Sequence, residues 1–257
     1  MLGNDERITR DIEYIMRIYK NKLTSHPRGD ISNKKNRGII VGATGATGSK
    51  LVKLLLESDK WEKITTVSRK PVFEGNSHKK LNEVIINSFD KLDQTFNHWK
   101  GHDSFFNCIG TTRKIAGGAK QFVDIEYGIS LKSAELANKA EIPNASVISA
   151  SGANPDGFSV DWIHPLLYTK TIGLKEETLS RKYNFNNVSI FRPGMLIRYY
   201  DKTSFLQQFF NNSCLGLPVN SLASAMKRDA ESIQTQASKT EPIVYIGNKC
   251  IKSSITL

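Results

Sequence analysis

Short apolar runs alternate with apolar positions at helical spacing along most of this chain. Gly38-Ile39-Ile40-Val41 is a β-branched run that enters a turn with glycines at 42, 45 and 48. Leu51, Val52, Leu54, Leu55 and Leu56 then recur on one helical face, to about Asp59. The pattern predicts strand, tight turn, helix. Five further runs predict strands: 64–68, 84–86, 104–110, 145–149 and 188–191. Between them, Leu92 and Phe96 begin a short helix, one helix runs through Tyr127 to Ala140, and another from Pro165 to Tyr183. Strands that alternate with helices predict an α/β fold with a doubly wound parallel sheet.

The two ends of the chain read differently. Ile8, Ile12, Ile15, Met16 and Tyr19 form the stripe of an amphipathic helix, and Thr24 to Asn36 reads as a polar linker. Residues 1–37 are therefore expected to stand apart from a main domain at 38–257. The helix has three readings: packing on the main domain, a membrane-surface contact, or a partner contact. Residues 200–257 are less periodic. Phe205, Phe209 and Phe210 suggest a helix over the cleft, and Pro242 to Ile246 a last strand. Together they predict a small C-terminal region that covers the cleft.

The first turn carries the clearest chemistry. Its spacing is G-x-x-G-x-x-G, from Gly42 through Gly45 to Gly48. One glycine lets the chain reverse, one lets backbone amides approach a pyrophosphate, and one lets helix and strand pack closely. The helix that follows points its positive end at the phosphates. Arg69 and Lys70 end the second strand, about twenty residues past the turn, where an acidic residue would bind the ribose 2′-hydroxyl of NAD. Two cations suit the 2′-phosphate of NADP instead. Asn87 or Ser88 beyond the third strand is placed near the adenine. Gly110 ends the fourth strand, and Thr111-Thr112-Arg113 offers donors to phosphate or substrate. Ser149 and Ser151 lie at the carboxyl end of the fifth strand, where open α/β sheets bind ligands.

Composition narrows the picture. The 257 residues are 39% hydrophobic and 24% charged, as expected of a globular α/β domain. No apolar run nears the roughly eighteen residues that span a bilayer. No secretory signal opens the chain, and Asp5, Glu6, Asp11 and Glu13 argue against a mitochondrial transit peptide. The three cysteines, 108, 214 and 250, are scattered, which fits a reducing compartment and no metal site. The expected location is cytoplasmic. The net charge of +11 attracts phosphates and acidic partners, but no nucleic-acid recognition motif accompanies it.

Several segments together resemble the atypical short-chain dehydrogenase/reductase superfamily, and within it the family of the Tat-interacting oxidoreductase-like protein. They are the turn at 42–48, Gly101-His102-Asp103, Gly110-Thr111-Thr112-Arg113, residues 131–137 and Phe191-Arg192-Pro193-Gly194. The resemblance implies a Rossmann-type fold that binds NADP(H). Thr44, Gly45, Ala46, Thr47 and Gly48 match its phosphate loop, and Arg69 and Lys70 its pair at the 2′-phosphate. Ile109 and Gly110 match the segment beside the ribose and nicotinamide. Leu196 follows the Pro-Gly segment that closes over the ring. Tyr168 matches the active-site tyrosine, and Ser149 the first of two serines. The resemblance also allows docking of a protein partner.

One departure stands out. In that superfamily a lysine follows the tyrosine by four residues, lowering the phenol pKa and holding the ribose. Here that position is Ile172. Lys170 lies about 200° round the helix from Tyr168. Lys175 shares its face but about 10 Å along the axis, so neither is an easy substitute. Tyr168 also reads as a plain buried aromatic. Two functions follow: an NADP(H)-dependent oxidoreductase acting on a small carbonyl or alcohol, and a catalytically impaired NADPH-binding regulator that docks a protein.

Overall fold

The computed structural model describes residues 34–75, 78–197, 216–233 and 241–256. The expected N-terminal helix and the phenylalanines at 205, 209 and 210 lie outside the described residues. The chain divides into units 1–34 and 35–257, and all that follows concerns the second.

The strands are β1 Asn36–Val41, β2 Trp61–Ser68, β3 Leu81–Ile85, β4 Ser104–Asn107, β5 Asn144–Ile148, β6 Asn187–Arg192, β7 Met195–Ile197, β8 Gly216–Pro218 and β9 Ile243–Ile246. The α-helices are α1 Ala46–Glu57, α2 Arg113–Ala116, α3 Ala119–Val123, α4 Ser130–Lys139, α5 His164–Arg181, α6 Val219–Ile233 and α7 Gly247–Thr256. A 3-10 helix spans Phe89–His98, and a π-helical turn at Asp124–Ile129 joins α3 to α4.

Seven strands form one sheet in the order β3-β2-β1-β4-β5-β6-β9, with every pairing parallel. This is a Rossmann-type doubly wound α/β fold. The period of two along each strand sorts the core into two layers. On one face Ile40 and Phe106 pack with Leu51 and Leu55 of α1 and Leu222 and Met226 of α6. On the other, Ile39, Val41 and Phe105 pack with Trp99, Ala134, Ala137 and Leu179. Trp61, Trp99, Phe105 and Phe106 are fully buried, each stabilising by about 1.5–3 kcal/mol or more.

In the C-terminal region the expected last strand is β9, and the faint periodicity of the sequence conceals two helices, α6 and α7, of which α6 packs on α1. Its inward stripe runs Val219, Leu222, Ala223, Met226, Ala230, Ile233. Alanines supply much of that stripe, so its apolar signal is faint in sequence although its packing is complete. Glu231 of α6 accepts hydrogen bonds from Ser58 Oγ at 2.9 Å and Trp61 Nε1 at 3.0 Å, which pins it to the start of β2.

The Gly101-His102-Asp103 motif proves to be structural. Asp103 N donates to the Arg37 carbonyl at 2.8 Å, and the Asp103 carboxylate accepts from Arg37 N at 2.9 Å. Both bonds lock the start of β4 to β1, at the sheet end away from the glycine turn.

Candidate functional site

The strand order reverses between β1 and β4, and the chain ends there open a crevice. Cys108 N donates to the Val41 carbonyl at 2.9 Å, so the two strand exits run side by side. Gly42 leaves β1 with φ +82°, and a Cβ on it would sit 2.5 Å from the Cys108 carbonyl carbon. A Cβ on Gly48 would overlap the Gly42 carbonyl oxygen. Only glycine fits either place. Gly45 N donates to the Gly42 carbonyl at 3.0 Å and closes the turn.

Gly45 is the N-cap of α1, with no side-chain cap and no acidic residue in the first turn. The amides of Ala46, Thr47 and Gly48 have no carbonyl four residues back within the helix. Thr44, Gly45 and Ala46 are exposed. The turn thus offers bare amides and a positive helix end, which fits the diphosphate of a dinucleotide.

A cavity of about 190 Å³ lies against this turn. Its wall brings together Gly45, Ala46, Thr47, Ile109, Gly110, Ser149, Tyr168 and Leu196, from five separate parts of the chain. Gly42 and Gly48 shape the turn behind it, and Thr44 stands outside the wall. A second cavity, about 470 Å³, is lined by Arg69, Asn87, Ser88, Phe89, Lys132 and the outer side of the π-helical turn. The Arg69 guanidinium lies 5.8 Å from the Phe89 ring centroid, over its face. Lys70 is exposed and does not line that cavity, although its carbonyl accepts from Ser68 Oγ at 2.7 Å.

Tyr168 and the serine end of β5 are held by different means. Pro165 sits in the first turn of α5, where its missing N–H costs nothing. Tyr168 packs on Phe122 at 5.8 Å and on His164 at 5.9 Å between ring centroids. Ser149 Oγ donates to Glu176 Oε1, and the same carboxylate takes the Arg192 guanidinium through Nε, at 2.9 and 3.0 Å, and through Nη2. Ser151 is exposed and points its hydroxyl at the Arg192 carbonyl.

A buried ion pair lines the same cavity. Lys175 Nζ lies 3.0 Å from Glu126 Oε2, and both side chains are almost fully buried. Glu126 Oε1 accepts from Thr111 N at 2.6 Å. Sequence reasoning gave no role to Glu126, Glu176 or Arg192, and set Lys175 aside on distance. The signal available was a charged pair, Lys175 and Glu176, inside the predicted helix 165–183, with Glu126 and Arg192 each one residue outside a predicted element. Cys108 also lines the cavity, but burial pushes its thiol up to about 12, against the opposing pull of Lys175, so it is no nucleophile at neutral pH.

A family model for the NAD dependent epimerase/dehydratase family matches residues 39–166, from β1 into α5. The chain belongs to that family. HTATIP2 of Rattus norvegicus is 33% identical over 171 residues, which cover 66% of this chain and 66% of that protein. FMP52 of Debaryomyces hansenii, named mitochondrial, is 35% identical over 159 residues, covering 62% and 66%. FMP52 of Lodderomyces elongisporus is 30% identical over 168 residues, covering 63% and 67%. The matched stretch is thus about two thirds of these relatives' length. Among solved structures, the oxidoreductase ylbE from Lactococcus lactis superposes with a TM-score of 0.61 at 21% identity, over 86% of this chain and 95% of that one. A UDP-glucuronic acid 4-epimerase from Bacillus cereus, in complex with NAD, gives 0.59 at 14%, over 82% and 77%.

Family membership supports a nicotinamide dinucleotide as the cofactor, in keeping with the glycine cradle. It also corrects one expectation. The cytoplasmic location inferred from cysteines and the acidic N-terminus does not stand, because several relatives are named mitochondrial. Acidic residues near the start of a chain describe its composition and do not fix its address. Among the described residues no helix is long and apolar enough to cross a membrane.

Proposed function

We propose that this family member is an NADP(H)-dependent oxidoreductase that moves a hydride between the nicotinamide and a small carbonyl or alcohol. The observation that supports it best is the cavity shared by the bare start of α1 and by Tyr168. The diphosphate would rest on the amides of Ala46, Thr47 and Gly48. Arg69 supports NADP over NAD, since it lines the second cavity beside Asn87, Ser88 and Phe89. The coenzyme supplies or accepts the hydride, and the chain supplies orientation and the proton.

Proton transfer falls to Tyr168. A carbonyl substrate needs a hydrogen-bond donor. Ser149 has one hydroxyl proton and gives it to Glu176. It can still accept a bond from an alcohol. Tyr168 is thus the donor in the reducing direction, and Ser149 orients the alcohol in the oxidising one. Leu196 lies on the wall at the exit of β6 and would close over the ring.

The test is titration of the protein with NADPH and with NADH, followed by turnover against a carbonyl panel. A preference for NADPH that Arg69→Ala abolishes is the expected result. Tyr168→Phe should lower turnover by about 10²–10⁴ with little change in NADPH affinity. Equal affinity for both coenzymes would sink the NADP assignment. The buried Ile172 favours a second reading, an NADPH-binding regulator with crippled chemistry. A gain of turnover in Ile172→Lys would support that reading.

A further inference from the structure

We propose that Lys175, clamped by Glu126, is the cation that serves the coenzyme ribose and Tyr168 in this site, taking over from position 172. The inference rests on the dinucleotide reading above. Position 172 is apolar, buried and on the cavity wall, so no cation reaches the site from there. Lys175 is on the same wall and only 1% of its side chain is exposed.

Helix geometry explains how a residue seven positions on can reach. Seven steps return to within about 20° of Tyr168, roughly 10 Å further along the axis. Side chains on a helix lean toward its N-terminus, and a long one covers the preceding turn. The Lys175 ammonium is therefore carried back to the level of Ile172. It shares the cavity wall with Cys108, Ile109 and Gly110, the residues just past the carboxyl end of β4.

Glu126 is built to hold it there. The residue lies in the π-helical turn, a wide form of helix that recurs at functional sites. One carboxylate oxygen takes the Thr111 amide and the other takes Lys175. A Cβ on Gly110 would lie 3.9 Å from the Thr111-bound oxygen, so the clamp sits directly under the strand exit. An ammonium has three N–H groups to give. Among the described residues Lys175 gives one, to Glu126. The cavity is where ribose hydroxyls would take the others. A purely structural ion pair would have no need to lie on that wall.

The experiment measures NADPH affinity by fluorescence titration of the full chain, with a thermal melt on each variant. Lys175→Met should weaken NADPH by about ten- to a hundredfold, the value of a lost charge-assisted bond. Ile172→Lys combined with Lys175→Met should recover most of that loss. Glu126→Gln with Lys175→Met leaves no buried charge unpaired, and keeps the test decisive if the single variant unfolds. That double variant should bind NADPH as poorly as Lys175→Met. In Lys175→Met, alone or with Glu126→Gln, the basic limb of the rate–pH profile should move up, because the phenol loses its neighbouring cation. Wild-type affinity in the neutral double variant would make the pair structural and overturn the assignment. Failure of the wild-type chain to bind either coenzyme would overturn the dinucleotide reading itself, a distinct result.

Discussion

Ser149 and Glu176 are joined across the sheet edge, the hydroxyl at the end of β5 donating to a carboxylate buried in α5. Arg192, at the end of β6, approaches that carboxylate from the other side and is only partly buried. Three elements are tied by one acceptor, behind the Ser149 wall of the cavity. Ser149→Ala should therefore cost about 1.5–3 kcal/mol, the worth of a hydrogen bond to a charged group. Glu176→Ala should cost more, about 3–5 kcal/mol, because Arg192 then loses its partner. Urea unfolding of both single variants and the double variant would measure this. The double should fall short of the sum by at least ~0.5 kcal/mol. Strict additivity would mean that the two side chains do not share a network.

Gly173 in α5 offers a contest between two effects of known size. Alanine is the better helix former by about 1 kcal/mol. Yet a Cβ at 173 would overlap the backbone of Asn154 and Pro155, in the loop that crosses the helix. Asn154 N donates to the Thr169 carbonyl at 3.0 Å, so that loop cannot move away freely. Overpacking costs about 1–3 kcal/mol. Packing should win, and Gly173→Ala should lower the denaturant midpoint. A raised midpoint would show that the loop yields.

His102 should make stability depend on pH. Its Nδ1 lies 2.9 Å from the Trp99 carbonyl, which can only accept, so Nδ1 carries the proton. Nε2 then accepts from the Thr65 hydroxyl at 2.9 Å. Burial is the main reason that this imidazole titrates below its usual range. Lys63 and Arg37 add to the effect, while the Trp99 bond and Asp103 oppose it. The unfolded chain then binds a proton more readily than the folded one. The stability gained is full above about pH 6.5 and is lost as the pH falls from there through the depressed folded value. The cost of His102→Asn should accordingly be smaller at pH 5.5 than at pH 7.5. An equal cost at both would mean that the ring does not titrate differently on folding.

Much of this was legible beforehand. The β-branched runs located six of the seven strands of the main sheet before the last, and Pro242 to Ile246 located the last. The strand expected at 104–110 ends at Asn107, because Cys108 and Ile109 are as apolar as a strand while serving as cavity wall. The buried charges were not legible in the same way. Lys175 shares a helical face with Tyr168 in any helix, but its reach depends on how the side chain leans and on what waits for it. Glu126 meets it only because a π-helical turn aims a residue 49 positions away at the same point.

The residues by themselves determined the order of strands and helices and the need for glycine at the first turn. Those outcomes follow from local forces: the period of apolar positions, and the φ values and close approaches that a Cβ forbids. Tertiary structure alone decided which charges share the cavity. Burying an ammonium is tolerable only where a carboxylate from another element arrives within hydrogen-bond distance. That meeting is set by the packing of α5 against the segment that leads into α4, which no local pattern encodes.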